Sequence, residues 1–174
     1  PTRGEVKFGD DKITTIPMYK RAIMGIGYLS QEPSVFTKLS VENNLKLALE
    51  MTSLTKKEQT ERLEYLLDEF SIGHIRKNIA MTLSGGERRR TEIARSLVIE
   101  PKFILLDEPY AGIDPLAVEE IQKIILKLKD RGIGVLITDH NVRETLSITD
   151  RSYLLYDGKV LFSGSSSEIS DNQE

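Results

Sequence analysis

Ser84 and Glu87 stand three residues apart with two glycines between them, in the run Leu83-Ser84-Gly85-Gly86-Glu87. That spacing is a capping box: Ser84 caps a helix and the Glu87 carboxylate reaches back to the helix start. Gly85 and Gly86 carry no Cβ, so a ligand can approach the free N–H groups closely. Those N–H groups and the helix dipole favour an anion such as a phosphate. Alone, the run describes an ordinary capped helix with Ile93, Ala94, Leu97 and Val98 as its buried face. It gains weight from a downstream segment, Phe103-Ile104-Leu105-Leu106 and then Asp107-Glu108-Pro109. Four apolar residues predict a strand buried on both faces, as in a parallel sheet. Asp107 and Glu108 then emerge at its carboxyl end, where open α/β sheets place ligands. Two adjacent acids in a mostly buried setting are costly unless a cation or water chemistry uses them. Asp107 suits a Mg²⁺ held through water. Glu108 can orient or deprotonate an attacking water, a role worth roughly 10²–10⁴ in rate. Together the segments point to nucleotide hydrolysis.

The elements around these residues alternate as α/β with an inserted helical piece. Glu5 to Phe8 and Lys12 to Thr15 predict short strands about the Gly9-Asp10-Asp11 turn. Gly25 to Leu29 reads as a core strand leading to Gln31. From Ser40 to Arg76 the pattern is helical, with a second capping box at Thr55 and Glu58 and Leu63, Leu66, Leu67 and Phe70 on one face. Asp114 caps a further helix with Pro115 at its first position and Val118, Ile121, Ile125 and Leu128 as its stripe. Ile133 to Ile137 predicts another buried strand, ending at Asp139-His140. Ser152 to Tyr156 and Lys159 to Phe162 form a hairpin through Asp157-Gly158, a pair that tolerates positive φ. The Ser-rich tail from Ser165 is expected to fray over its last residues.

Composition bounds the function. A length of 174 residues fits one domain with a real core. A net charge of −3 gives no footprint for nucleic acid. The Arg88-Arg89-Arg90 run, flanked by Glu87 and Glu92, reads as a solvated helix face. No apolar run approaches the ~18 residues of a membrane span, so membrane association is expected through a partner. The absence of cysteine excludes a disulfide scaffold and thiolate metal sites, and is compatible with a cytosolic life.

The motifs resemble those of ABC-transporter nucleotide-binding subunits, with LSGGE as signature and FILLDE as Walker B. Gln31, in Tyr28-Leu29-Ser30-Gln31-Glu32, resembles the Q-loop glutamine that contacts the metal near the membrane subunit. Ala111-Gly112-Ile113-Asp114 is similar to the D-loop, and His140 in Thr138-Asp139-His140-Asn141 to the switch histidine at the γ-phosphate. Within the family, GIGYLSQEPSVF, LSGGERRR, FILLDEPYAGIDP and LITDHNVRETL resemble the ATP-binding subunits of lipopolysaccharide exporters. Similar strings occur in branched-chain amino-acid importer ATPases, the alternative within transporters.

The resemblance implies a P-loop NTPase core with a parallel sheet, a small N-terminal antiparallel β part and an inserted helical subdomain. The chain, 1–174, then forms one partial ABC ATPase domain, with core parts 1–39 and 88–174 and helical subdomain 40–87. It also implies ATP and Mg²⁺ as cofactors and a homodimer closing on two ATP molecules. Asp107 and Gln31 would serve the metal, and Glu108, Gln31 and His140 catalysis. Ser84, Gly85, Gly86, Glu87 and Asp114 would meet nucleotide across the dimer. Permease subunits would dock near the Q-loop and helical subdomain, on the inner face of the cytoplasmic membrane, with no nucleic acid partner.

One departure stands out: no G-x-x-x-x-G-K-[ST] occurs in the 174 residues, and Gly158-Lys159 sits in the predicted hairpin turn. The family carries that loop, its strand and its helix upstream of the position of Pro1, so the sequence reads as a segment cut after them. Without the backbone cradle and lysine, the polypeptide as written is expected to neither bind ATP normally nor hydrolyse it. A non-catalytic docking subunit is thus a further alternative. ABC ATPases of DNA repair are set aside, because Gln31 and Ser84 are only ~50 residues apart, too few for a long coiled coil.

Overall fold

The computed structural model describes residues 3–170. Three strands, β3 (Ile26–Leu29), β4 (Phe103–Asp107) and β5 (Gly134–Thr138), pair in parallel in the order β3-β4-β5. The register aligns Leu29 with Leu106 and Ile137, and Tyr28 with Leu105 and Leu136. Because side chains alternate across a strand, these rows lie on opposite faces. The Leu29 row joins the main core, with Leu29 and Leu106 each 1% exposed. On the other face Tyr28 and Leu136 are each 47% exposed. The expected burial on both faces therefore holds for one. Beside β3 packs α1 (Met18–Ile23), a six-residue helix with no buried residue.

The N-terminal antiparallel pair is shorter than its sequence pattern: β1 (Lys7–Phe8) against β2 (Asp11–Lys12). Helices α2 (Val41–Leu49), α3 (Lys56–Glu69) and α4 (Gly85–Ser96) build the helical region. Leu45, Leu49, Leu63, Leu66, Leu67 and Phe70 form one buried cluster with Ile93, Leu97, Ile104, Leu106, Ile121 and Ile125. The core therefore runs without a break from the helices into the sheet. The capping boxes at Thr55–Glu58 and Ser84–Glu87 are both formed.

Helix α5 (Pro115–Asp130) starts at Asp114, whose Oδ1 accepts the Ala117 N–H at 3.0 Å. It buries Ile121, Ile125 and Leu128 as its spacing predicts, together with Ala117 and Ile124. A short helix, α6 (Val142–Leu146), precedes the hairpin β6 (Ser152–Tyr156) and β7 (Lys159–Gly164). Asp157 and Gly158 turn it with φ of 48° and 72°, the left-handed pair that matches strand twist. From Ser165 the chain forms a further helix, α7 (Ser166–Ser170), where a polar tail was expected. The Ser165-x-x-Glu168 spacing builds another capping box, with the Ser165 N–H donating to Glu168 Oε2 at 2.7 Å. The expected fraying falls on 171–174, outside the described residues.

Candidate functional site

The parallel register brings the carboxyl ends of β3, β4 and β5 level, because Leu29 faces Leu106 and Asp107 faces Thr138. The residues that come after each strand therefore converge. The Gln31 side-chain amide donates to Glu108 Oε2 at 2.9 Å. His140 Nδ1 lies 3.5 Å from the same oxygen. Asp107 is held on both oxygens by hydroxyls: Thr138 Oγ1 donates to Oδ1 at 2.6 Å and Tyr28 OH to Oδ2 at 3.4 Å. Burial, then the Asp107 carboxylate, push the Tyr28 phenol above its ordinary pKa, so it stays a donor at neutral pH. Gln31, Asp107, Glu108 and His140 thus form one cluster.

Glu108 has φ of +43°, in the left-handed region that non-glycine residues enter at a cost of order 1–3 kcal/mol. Its main chain is held on both sides. Its N–H donates to the Thr138 carbonyl at 2.7 Å, and its carbonyl accepts from Ala111 N–H at 3.1 Å. Asp139, whose side chain is fully buried, accepts the Asn141 N–H at 2.8 Å and the Tyr110 N–H at 3.4 Å. The loop carrying His140 is thereby fastened to the loop leaving Glu108.

The expected solvated arginine face is corrected at its middle residue. Arg89 is 6% exposed and turned inward. Its Nη2 donates to the carbonyls of Asp107 at 3.0 Å and Glu108 at 3.1 Å, its Nε to that of Pro109 at 3.2 Å, and its Nη1 to that of Ser30 at 2.8 Å. Arg90 also leaves the solvent, ion-paired to Glu120 across α4 and α5. The cause is geometry: α4 lies along the ends of β3 and β4, where main-chain carbonyls have outrun their sheet partners. Glu92 on the same helix is 2% exposed, and an arginine three residues before a glutamate on one helix face was the available signal.

Ser84, Gly85, Gly86, Glu87 and Asp114 lie apart from the Glu108 cluster, and no hydrogen bond joins the two groups among the described residues. Ser84 N–H donates to Glu87 Oε2 at 2.8 Å, and that bond, with the Ser84 hydroxyl, holds the Glu87 carboxyl below its ordinary range. The glycines have a packing reason of their own. A Cβ on Gly86 would lie 2.7 Å from Ala117 Cβ, and one on Gly85 would lie 3.1 Å from the Gly112 carbonyl. They let the signature helix start press against the Ala111–Asp114 loop and α5.

The donor set fits a hydrated magnesium ion. Asp107 offers one partly exposed carboxylate in a hydroxyl-rich setting, and Mg²⁺ keeps several waters and takes few carboxylates.

Solved structures place the fold. The chain superposes on cbiO1 of Clostridium perfringens, part of the ABC transporter complex cbiONQ, with a TM-score of 0.87 and 28% identity, over 99% of this chain and 70% of that one. It superposes on the dimeric post-hydrolysis state of the ATP-binding cassette MJ0796, bound to ADP and Pi, with a TM-score of 0.82 and 25% identity, over 95% of this chain and 75% of that one. The architecture is that of an ABC ATPase: a P-loop NTPase-type α/β core with a parallel sheet and helices. In sequence, a model of the ABC transporter family matches residues 1–111. The chain is 55% identical over 172 residues to "Lipopolysaccharide export system ATP-binding protein LptB" of Acidithiobacillus ferridurans, covering 99% of this chain and 71% of the relative. It is 53% identical over 167 residues to "Probable ABC transporter ATP-binding protein" of Azorhizobium caulinodans, covering 96% and 59%. The chain belongs to the ABC transporter family, in its ATPase class, where ATP hydrolysis is coupled to transport. No helix among the described residues is long and apolar enough to cross a membrane.

Proposed function

We propose that these residues belong to an ATP-binding subunit that powers lipopolysaccharide export. The observation that carries the site reading is the convergence of Gln31 and His140 on one oxygen of Glu108, beside a hydroxyl-held Asp107. The transported substrate is supported by the 55% identity to a lipopolysaccharide export ATP-binding protein.

In this reading Asp107 and Gln31 would hold a hydrated Mg²⁺, which would supply charge neutralisation at the phosphates. Glu108 orients and polarises the attacking water, and its fixed main chain keeps that geometry. Gln31 gives up its bond to Glu108 and turns its side chain toward the nucleotide phosphates. His140 donates to the γ-phosphate. Ser84 to Glu87 and Asp114 serve the nucleotide of a partner copy in a homodimer, as the anion-favouring helix start suits. Residues 40–87 act as a helical subdomain, set between core parts 1–39 and 88–174 of one domain, that docks with the Q-loop on membrane subunits at the inner face of the cytoplasmic membrane.

The 174 residues hold no G-x-x-x-x-G-K-[ST], so hydrolysis requires a phosphate-binding loop from outside them, and these residues alone are inactive. The test uses a subunit with that loop ahead of Pro1. Glu108→Gln should keep ATP binding and lose turnover by 10²-fold or more, to order of magnitude. Near-normal turnover would reject the assignment. Co-purification with membrane subunits of an amino-acid importer, in place of those of lipopolysaccharide export, would reject the substrate.

A further inference from the structure

Gln31 and Glu108 meet at the sheet edge, but what holds their loops in place is a buried charge pair on α4. Glu92 Oε1 accepts the N–H of Ser34 at 2.7 Å and of Val35 at 3.3 Å. Its Oε2 accepts Arg89 Nη1 at 3.2 Å. Arg89 in turn grips Ser30, before Gln31, and Asp107 to Pro109, around Glu108. The segment 30–35 is thus anchored on both sides of Gln31, and both anchors end on one carboxylate. A buried ion pair serving stability alone has no need to direct its bonds to two functional loops, and apolar residues often replace such pairs without loss. Among the described residues, every hydrogen-bond partner outside the pair is a main-chain atom of those loops, and neither residue hydrogen-bonds to the Gln31 side chain or the Glu108 carboxylate.

We propose that Glu92, acting through Arg89 and the Ser34–Val35 main chain, is a positioning residue that sets the distance between Gln31 and Glu108. Removing its carboxylate frees the Ser34 and Val35 N–H groups and leaves Arg89 as an uncompensated buried charge. The loop bearing Gln31 then shifts against the one bearing Glu108. The inference rests on the hydrolytic roles proposed for those two residues.

Two readouts test it. On this chain, the Gln31 side-chain amide gives a ¹⁵N–¹H signal pair, assigned by its loss in Gln31→Ala. Glu92→Ala should move that pair toward free-amide positions, and Glu92→Gln should move it less, because it still offers an oxygen to Ser34. Glu64→Gln, which weakens the separate Arg76–Glu64 pair, should leave it in place. An unmoved pair in Glu92→Gln and Glu92→Ala overturns the proposal. If Glu92→Ala does not fold, Glu92→Gln decides alone. In the subunit with a phosphate-binding loop, Glu92→Gln should lower kcat about 10-fold with KM for ATP within about 3-fold, and Glu92→Ala about 100-fold, the scale of a 1 Å misplacement. Unchanged kcat in Glu92→Gln, with Glu108→Gln inactive, overturns this inference and leaves the site reading standing. Near-normal turnover in Glu108→Gln overturns both.

Discussion

The side-chain amide of Gln31 and the carboxylate of Glu108 are hydrogen-bonded at 2.9 Å, although 77 residues separate them in sequence. In this state Glu108 is engaged by Gln31, so under the proposed role of Gln31 nucleotide entry would have to break that bond. A hydrogen bond to a charged acceptor is worth roughly 1.5–3 kcal/mol. Gln31→Ala removes the competitor along with the sensor. In a subunit carrying the phosphate-binding loop, kcat should fall about 10- to 100-fold while ATP affinity changes little, as expected for an interaction made mainly in the transition state. Equal kcat in steady-state hydrolysis would show that Gln31 only fills the resting site.

Tyr110 offers a test on stability. It is 3% exposed and its hydroxyl has no partner among the described residues. Burial, then the charges of Asp139 and Glu144, push its pKa upward, so the hydroxyl stays neutral and unsatisfied. An unpaired buried polar group costs about 1–3 kcal/mol. Tyr110→Phe removes that cost at almost constant volume, and urea denaturation should give equal or higher stability. A loss above about 1 kcal/mol would mean that the hydroxyl has a partner such as an ordered water.

Gly86 sets two effects against each other. Glycine to alanine inside a helix gains up to about 1 kcal/mol from propensity. The added Cβ would sit 2.7 Å from Ala117 Cβ, and overpacking costs about 1–3 kcal/mol. The clash wins, so Gly86→Ala should lower Tm and displace the start of α5. A raised Tm would show that α5 yields without strain.

Glu42 links stability to pH. It is 4% exposed on α2, and hydrogen bonds from Lys46, then Lys77 and Arg76, lower its pKa from 4.5 to about 2. A carboxylate whose folded pKa lies below its unfolded one adds stability above the unfolded value, and loses it as pH falls through the folded one. Its contribution is therefore full above about pH 4.5 and is lost as pH falls through about 2. Lys46 and Lys77 are exposed, so screening reduces the pair energies and the expected size is about 1–2 kcal/mol. In acid titrations of stability, Glu42→Gln should flatten the slope in that window. An unchanged slope would mean that the three cations contribute nothing.

The site was legible to unequal degrees. The Ser84–Glu87 box, the strand leading to Asp107 and the cap at Asp114 rest on short-range rules, and each formed where its residues stand. Arg89 faces carbonyls where the sequence predicts water, because a run of three arginines beside glutamates looks the same in either setting. The Ser165–Glu168 box lies in a stretch whose Ser-rich composition suggests only a tail. The strand Phe103–Asp107 proved buried on one face, since apolar runs do not report how many layers cover them.

Local chemistry was determined by the sequence alone: the caps, the Asp157-Gly158 turn, the helical stripes and the order of the functional residues. These depend on neighbours within about four positions, where spacing translates directly into geometry. Only the tertiary structure decided that Gln31 and His140 share one oxygen of Glu108, that Thr138 and Tyr28 hold Asp107, and that Arg89 and Glu92 clamp both loops. Those contacts come from the parallel register of three distant strands and the placement of α4 against their ends. Register is a property of packing between segments, and no local pattern carries it.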